Sequence, residues 1–453
     1  MLRSVLFLLL ALPLLAQTPA KGIHPQVKKV IDEVSEERIA TILKKLEGFG
    51  SRNTNYDIDS PNKGNIAART WISDQFKSYS PKLQVSFDTH KITRQNRIVK
   101  DLDLVNVVAV LPGTTQKDHE IIISGHYDSL NIVRKKDAAT GPGLDNVDWF
   151  ATAENPVAPG VSDDASGVSL VMELARIMSQ YEWSKTIVFI AFAGEEQGLF
   201  GSRAHAKAAK DAKRKIDAVF NNDIIGNDIS GDGRTVTDLV NVYSGDPMDS
   251  PSRALARYVR EMSERYYPAM KANPVFRGDR FSRGGDHTPF HDLGLAAIRF
   301  TTPVENYANQ HSATDTFENA SPAYTARVVR INAAAAGSLA LAPAPPELMR
   351  TNSSGVITGP NLTRGKGYDA ALKWTPASPT EEIAGYSVSV RSTTAPFWER
   401  EIHVGNVTEY LIPSVSIDDI VIGVRAIGKN GVESPVAAYT LVPRNFNSPA
   451  PAN

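Results

Sequence analysis

The sequence predicts an α/β fold, a mostly parallel central sheet flanked by helices, followed by a small all-β sandwich. Three observations predict it. Apolar runs of strand length alternate with segments of helical periodicity over residues 25–341, as in a parallel sheet covered on both faces. Polar clusters stand where those apolar runs stop, the place where open parallel sheets carry their sites. After Ala342-Pro343-Ala344-Pro345-Pro346 the long helical patterns end and only short alternating segments follow.

The elements follow in order. Met1-Leu2-Arg3 gives a positive start, residues 5–15 are almost wholly apolar, and small Ala16 precedes polar Gln17. This reads as a cleavable signal peptide over residues 1–16, because the run falls short of the roughly 20 residues a bilayer needs. A secreted or periplasmic protein is the expectation. Residues 25–46 place Val27, Val30, Ile31, Val34, Ile39, Ile42, Leu43 and Leu46 at helical spacing, and Ser60-Pro61 opens a second helix through Tyr79. Strands are expected over 83–92, 104–111, 120–124 and 186–192, around 218–220, and over 295–300. Helices are expected over 165–178, 201–212 and 324–341. A linker (342–350), a sandwich (351–445) with strands near 370–374, 385–390, 409–412 and 421–426, and a tail (446–453) complete the chain.

Whole-chain quantities narrow the function. The 453 residues exceed one typical domain. With 49 basic and 50 acidic residues, the net charge of −1 favours neither nucleic acid nor an anionic membrane as a partner. There is no cysteine, so disulfides, a thiol nucleophile and thiolate ligands are excluded. Any metal must be held by His, Asp and Glu, a donor set that suits zinc in a hydrolytic site.

Three strand ends carry the chemistry. The 120–124 strand runs into Gly125-His126-Tyr127-Asp128-Ser129, where His126 and Asp128 face one side of an extended stretch. His126 can bind a metal while Asp128 holds its ring; a strand-end histidine can equally be structural. The 186–192 strand runs into Ala193-Gly194-Glu195-Glu196, a like-charged pair that either sits solvated in a loop or divides metal binding and proton transfer between its members. The strand after Ile216 ends in Asn221-Asn222-Asp223. Asp163-Asp164 precedes an Ala-Ser-Gly turn into a helix; capping accounts for one of the two aspartates, while a carboxylate can also bridge two cations. His311 lies in a polar loop, Gln310-His311-Ser312-Ala313-Thr314-Asp315-Thr316.

Taken in order, GHYDS, PGVSDDASG, AGEEQGLFGS, NND and QHSATDT resemble the two-zinc aminopeptidase family, which includes bacterial leucyl aminopeptidases, aminopeptidase Y and glutamate carboxypeptidase relatives. The resemblance covers roughly residues 25–340, within an expected peptidase domain of 17–341. It implies a zinc-exopeptidase (phosphorylase/hydrolase-like) fold and two Zn²⁺ per chain. It implies Asp163 as the carboxylate shared by both ions, His126 and Asp223 completing one, and Glu196 and His311 completing the other. Glu195 is implied as the general base for a metal-activated water, with Asp128 behind His126. The Asp163–Asp164 peptide is often cis in such enzymes. The implied substrates are peptides with a free N-terminus.

Asp286 and His287 resemble residues near the family's substrate pocket. The tyrosine and disulfide that accompany that segment in relatives are missing here, which leaves Tyr307 and Arg283 as candidates to stabilise the oxyanion. The sandwich resembles a fibronectin type III domain through Trp374, Tyr386, Val424-Arg425-Ala426 and Asn430-Gly431. Alternative readings are glutaminyl cyclase-like or carboxypeptidase activity on the same fold, or a non-enzymatic binding protein. Arg277-Gly278-Asp279 is too short to carry meaning, and Asn352, Asn361 and Asn406 fit glycosylation acceptors.

Overall fold

The computed structural model describes residues 22–56, 58–136, 144–278, 281, 283–353, 357–379 and 382–440. The expected signal segment and tail lie outside the described residues. The chain divides into two compact units, Ile23–Pro343 with Val432–Val436, and Ala344–Gly431 with residues from 437 on.

The larger unit begins with α1 (Pro25–Asp32), α2 (Glu36–Gly48) and α3 (Gly64–Tyr79). The single helical pattern of residues 25–46 is thus two helices. Ser35 breaks it: its backbone is extended and its Oγ accepts from the Arg38 N–H at 3.2 Å, capping α2 in front of Glu36 and Glu37. The second expected helix starts at Gly64, three residues beyond Pro61. Then come β1 (Gln84–Ile92), β2 (Leu102–Leu111), β3 (Gln116–His126), α4 (Trp149–Glu154), α5 (Ser166–Met178), β4 (Lys185–Phe192), α6 (Phe200–Asp211), β5 (Lys215–Asn222), β6 (Leu239–Ser244), α7 (Pro251–Tyr266), β7 (Lys271–Val275), α8 (Thr288–Asp292), β8 (Ala297–Thr301) and α9 (Pro322–Leu341).

One eight-stranded sheet runs in the order β1-β2-β4-β3-β5-β8-β6-β7. Its centre, β4-β3-β5-β8, is parallel. The sheet is mixed because β1 and β2 add antiparallel on one side and β6 pairs antiparallel with β8 on the other. Strand β4 is buried along its whole length, which is why its residues 187–192 read as an unbroken apolar run rather than an alternation. Helices α5 and α9 lie in the main core with Trp183, Phe189 and Phe220, while Val188, Ile190, Phe192 and Phe290 fill a second cluster. The elements not foreseen, α4, β6, α7, β7 and α8, mostly lie between residues 239 and 292.

The smaller unit is all β among the described residues, with antiparallel strands β9 (Met349–Thr351), β10 (Ile357–Pro360), β11 (Leu362–Arg364), β12 (Ala370–Lys373), β13 (Ile383–Ser392), β14 (Arg400–Gly405), β15 (Glu409–Ile412), β16 (Ile420–Gly428) and β17 (Ala437–Ala438). Trp374 and Tyr386, with ring centroids 5.4 Å apart, anchor a core of its own.

Candidate active site

Strands β4, β3 and β5 lie side by side, and each delivers site residues at its carboxyl end. His126 is the last residue of β3 and pairs in register with Phe192, the last residue of β4. Two residues earlier on β3, Ser124 pairs with Asn221 of β5, so the three strands end level. The β4 loop turns at Gly194, whose φ of +71° is open to glycine, and presents Glu195 and Glu196. Asp223 follows β5 directly. Asp163 enters from the segment before α5, with a cis Asp163–Asp164 peptide, and His311 from the loop after β8.

These side chains converge. The two oxygens of Asp163 face different histidines: Oδ1 is 3.2 Å from His126 Nε2 and Oδ2 is 3.0 Å from His311 Nε2. His311 Nε2 is also 3.1 Å from Glu196 Oε2, and His126 Nε2 is 3.8 Å from Asp223 Oδ1. Two groups have the spacing of metal ligands: His126 with Glu195 and Asp223, and Asp163 with Glu196 and His311, the ligand atoms of each within 4.8 Å of one another. The residues fit divalent cations in a further way. His126 Nε2 and Glu196 Oε1 are buried with no hydrogen-bond partner, which is costly unless something else satisfies them. The donor set of imidazoles and carboxylates suits zinc.

The electrostatics are those of a cluster of buried carboxylates around two imidazoles. Burial opposes charge on His126, but Asp128, Asp163 and Asp223 outweigh it and hold the imidazole well above its ordinary range. Burial likewise opposes charge on His311, and Glu196 and Asp163 outweigh it. Asp163 stays well below the usual carboxylate range, against its burial, because it faces both imidazoles. Glu195 goes the other way: burial, reinforced by Asp223, Glu196 and Asp286, raises it well above normal despite His126. Burial also raises Glu196.

Asp128 is fully buried, with Oδ1 3.5 Å from His126 Nδ1, and its oxygens accept from the N–H groups of Glu195 (3.3 Å) and Glu196 (3.2 Å). It therefore fixes the ring and the carboxylate loop together. Asp164 takes the capping role: it accepts from Gly167 N–H at the start of α5 and from His126 N–H. The capping reading of the aspartate pair thus falls to Asp164, which leaves the Asp163 carboxylate facing the two histidines. Asp286 is buried near the site, and burial pushes it up to about 7. Arg283 pairs with Glu305 at 2.6 Å and reaches the hydroxyl of Tyr307, which is 66% exposed.

Several residues around the site escape a sequence reading. Arg299 on β8 is buried and lies 3.1 Å from Asp223 Oδ1, so one carboxylate oxygen faces both a guanidinium and His126. Asp315 accepts from the N–H groups of Ser162 and Asp163, and Gln310 Nε2 donates to Asp163 Oδ2 at 3.0 Å. Arg97 Nη1 donates to the Glu196 carbonyl at 2.9 Å. Asp315 and Gln310 sit in the same polar motif as His311, the one signal that pointed at them; Arg299 and Arg97 carry none, being single arginines in strand and turn contexts.

The chain is similar to known proteins along most of its length. The model of peptidase family M28 matches residues 106–336, which hold every convergent side chain above. A probable zinc metalloprotease of Pyricularia oryzae is 35% identical over 445 residues, covering 90% of this chain and 83% of the relative. Among solved structures, the LapA aminopeptidase of Legionella pneumophila superposes with a TM-score of 0.52 at 18% identity, over 70% of this chain and 74% of that one. A glutaminyl cyclase of Macrostomum lignano gives 0.50 at 16% identity, over 69% and 92% of the two chains, and so shares the fold. With a matching family model over half its length and a zinc metalloprotease relative along nearly all of it, the chain belongs to peptidase family M28, the family of these zinc metallopeptidases.

Proposed function

We propose that the protein is an exported aminopeptidase that removes residues from peptide N-termini at a two-zinc site. The observation that carries the reading is the Asp163 carboxylate, one oxygen turned to His126 and the other to His311. His126 and Asp223 would hold one ion, Glu196 and His311 the other, and Asp163 both. When bound, the pair supplies Lewis-acid chemistry to a water and to the scissile carbonyl.

The chain's own residues do the rest. Glu195 takes the proton of the attacking water on its carboxylate and hands it to the leaving amine. The burial that raises its proton affinity matches it to that exchange. Asp128 fixes the base by accepting the Glu195 N–H. A free amine terminus would offer more N–H donors to the acidic groups lining the site than an acylated one does. The signal-like start supports export, and the C-terminal unit reads as a fibronectin type III-like spacer.

The test is a panel of peptides with free and with acetylated N-termini, assayed with and without a chelator. Chelator-sensitive cleavage of the free set alone is expected. Sequential release from the C-terminus, or equal cleavage of the blocked set, overturns the aminopeptidase reading. Cyclisation of an N-terminal glutamine with one zinc per chain would replace it with the cyclase alternative.

A further inference from the structure

A groove beside the site has an aromatic floor and a cationic rim. Its base is the turn joining β1 to β2. Gln95 and Ile98 exchange backbone hydrogen bonds of 3.0 and 2.7 Å, and Asn96 sits at a φ of +43°. The buried Asn55 side chain clamps this turn, donating to the Arg97 carbonyl and accepting from the Val99 N–H. Arg97 then ties the turn to the site, because its guanidinium donates to the Glu196 carbonyl and lies 5.1 Å over the Trp149 ring.

The opposite wall is also joined to the site. Ile132 N–H donates to the His311 carbonyl at 3.0 Å, and the strand-like stretch that follows pairs Val133 with Asp148 and Lys135 with Asn146. The cavity between these walls measures about 460 Å³ and is lined by Arg94, Ile98, Lys135, Trp149 and Phe150 among others. That is room for one or two amino-acid residues.

Its lining carries two cations, Arg94 and Lys135, against one carboxylate, Asp148. Arg94 lies 5.3 Å over the Phe150 ring, which is 54% exposed, and Lys135 Nζ donates to a backbone carbonyl, that of Asp145. Among the described residues no carboxylate pairs with either cation. The lining carboxylate, Asp148, is engaged in capping α4 through the Ala151 N–H. The groove therefore attracts anions and offers a ring face beside them.

We propose that this groove is the subsite for the leaving segment of the substrate, and that it selects a carboxylate within the first two residues beyond the scissile bond. The proposal rests on the aminopeptidase reading: when only one residue is removed, what extends from the site is the leaving segment, which ends in a carboxylate. The N-terminal ammonium is repelled by Arg94 and Lys135, which fixes the direction in which the peptide lies.

The test compares the zinc-supplemented full chain on six substrates: a leucyl anilide, Leu-Gly-Glu, Leu-Gly-Gln, the C-terminal amides of both peptides, and Leu-Gly-Lys amide. The wild type is expected to show a KM lower by roughly fivefold or more for peptides carrying a carboxylate, with kcat little changed. The Glu and Gln pair reads a side-chain carboxylate, and the acid and amide pair reads a terminal one. R94A and F150A should abolish the preference while leaving anilide turnover within about twofold. R94E should invert the preference toward Leu-Gly-Lys amide. Equal KM across the peptides, or a preference that survives R94E, overturns the proposal while anilide cleavage leaves the aminopeptidase reading standing. A wild type that cleaves neither anilide nor free peptides sinks that reading and this one with it.

Discussion

Glu195 sits close to His126 and Asp223, within the spacing of a metal ligand, yet the proposed chemistry needs it as a base. The two roles separate in one variant. Glu195→Gln keeps the shape and removes the proton acceptor, so kcat should fall about 10²–10⁴-fold with zinc content unchanged, as read by elemental analysis. Near-normal turnover with metal bound would refute the base assignment, and loss of zinc would make Glu195 a ligand. Arg52 acts differently. It is fully buried and donates to the carbonyls of Leu46, Tyr127, Pro159 and Gly160, which gathers the loops leading to His126 and Asp163 around one guanidinium. Arg52→Met leaves these acceptors unmatched at ~1–3 kcal/mol each, so urea unfolding should register a loss of at least ~3 kcal/mol. An unchanged midpoint would mean that other donors replace the guanidinium.

Element packing sets how closely α5 approaches the strand ends. A Cβ on Gly167 would lie 2.1 Å from the Asn222 carbonyl oxygen and 2.4 Å from Asp164 Oδ2, so the helix start touches the end of β5 through bare backbone. Gly167→Ala must push Asp164 or β5 away, at a cost of about 1–3 kcal/mol. Because Asp164 also accepts the His126 N–H, the displacement should reach His126. The expected outcome is weaker zinc retention against a chelator along with a lower melting temperature. A variant that is less stable but holds zinc as tightly as the parent would show the two effects to be independent. The same scale explains the split of the first helix. Apolar spacing continues smoothly through residues 33–35, but Ser35 finds a better partner in the Arg38 N–H than in a continued helix.

At the scale of the molecule, two units with separate cores predict two melting transitions in calorimetry, of which only one responds to zinc. A single transition that moves as a whole with zinc would contradict this. The zinc-free protein should also show a particular pH dependence. His126 and His311 are raised above 6.5, so the stability they add is complete below that value and lost as pH rises through their folded values. Asp286 and Asp315, each pushed by burial up to about 7 from 3.8, act in the same direction, full below 3.8 and lost as pH passes about 7. Asp163 and Asp223 are lowered, so their contribution is complete above 3.8 and constant across neutral pH. The melting temperature of chelated protein should therefore fall between about pH 5 and pH 8, and zinc should flatten the curve. A rising curve without zinc would reverse the assignment of charge in the site.

His126, Glu195, Glu196 and Asp223 were legible in the chain because β3, β4 and β5 announce their own ends: an apolar run stops where burial stops, and the next polar side chains fall on the rim of the sheet. Asp163 and His311 were legible through their motifs. Periodicity also gave the central strands and α5, α6 and α9, since one buried face imposes its repeat on the residues that form it. Tertiary structure alone decided that Asp164 caps while Asp163 faces both histidines, that β2 and β6 run antiparallel to their neighbours β4 and β8, and that Arg52, Arg97 and Arg299 turn inward. An arginine looks alike in sequence whether solvated or turned inward; what turns it inward includes acceptors far along the chain, Tyr127 for Arg52 and Glu196 for Arg97, and only folding brings those together.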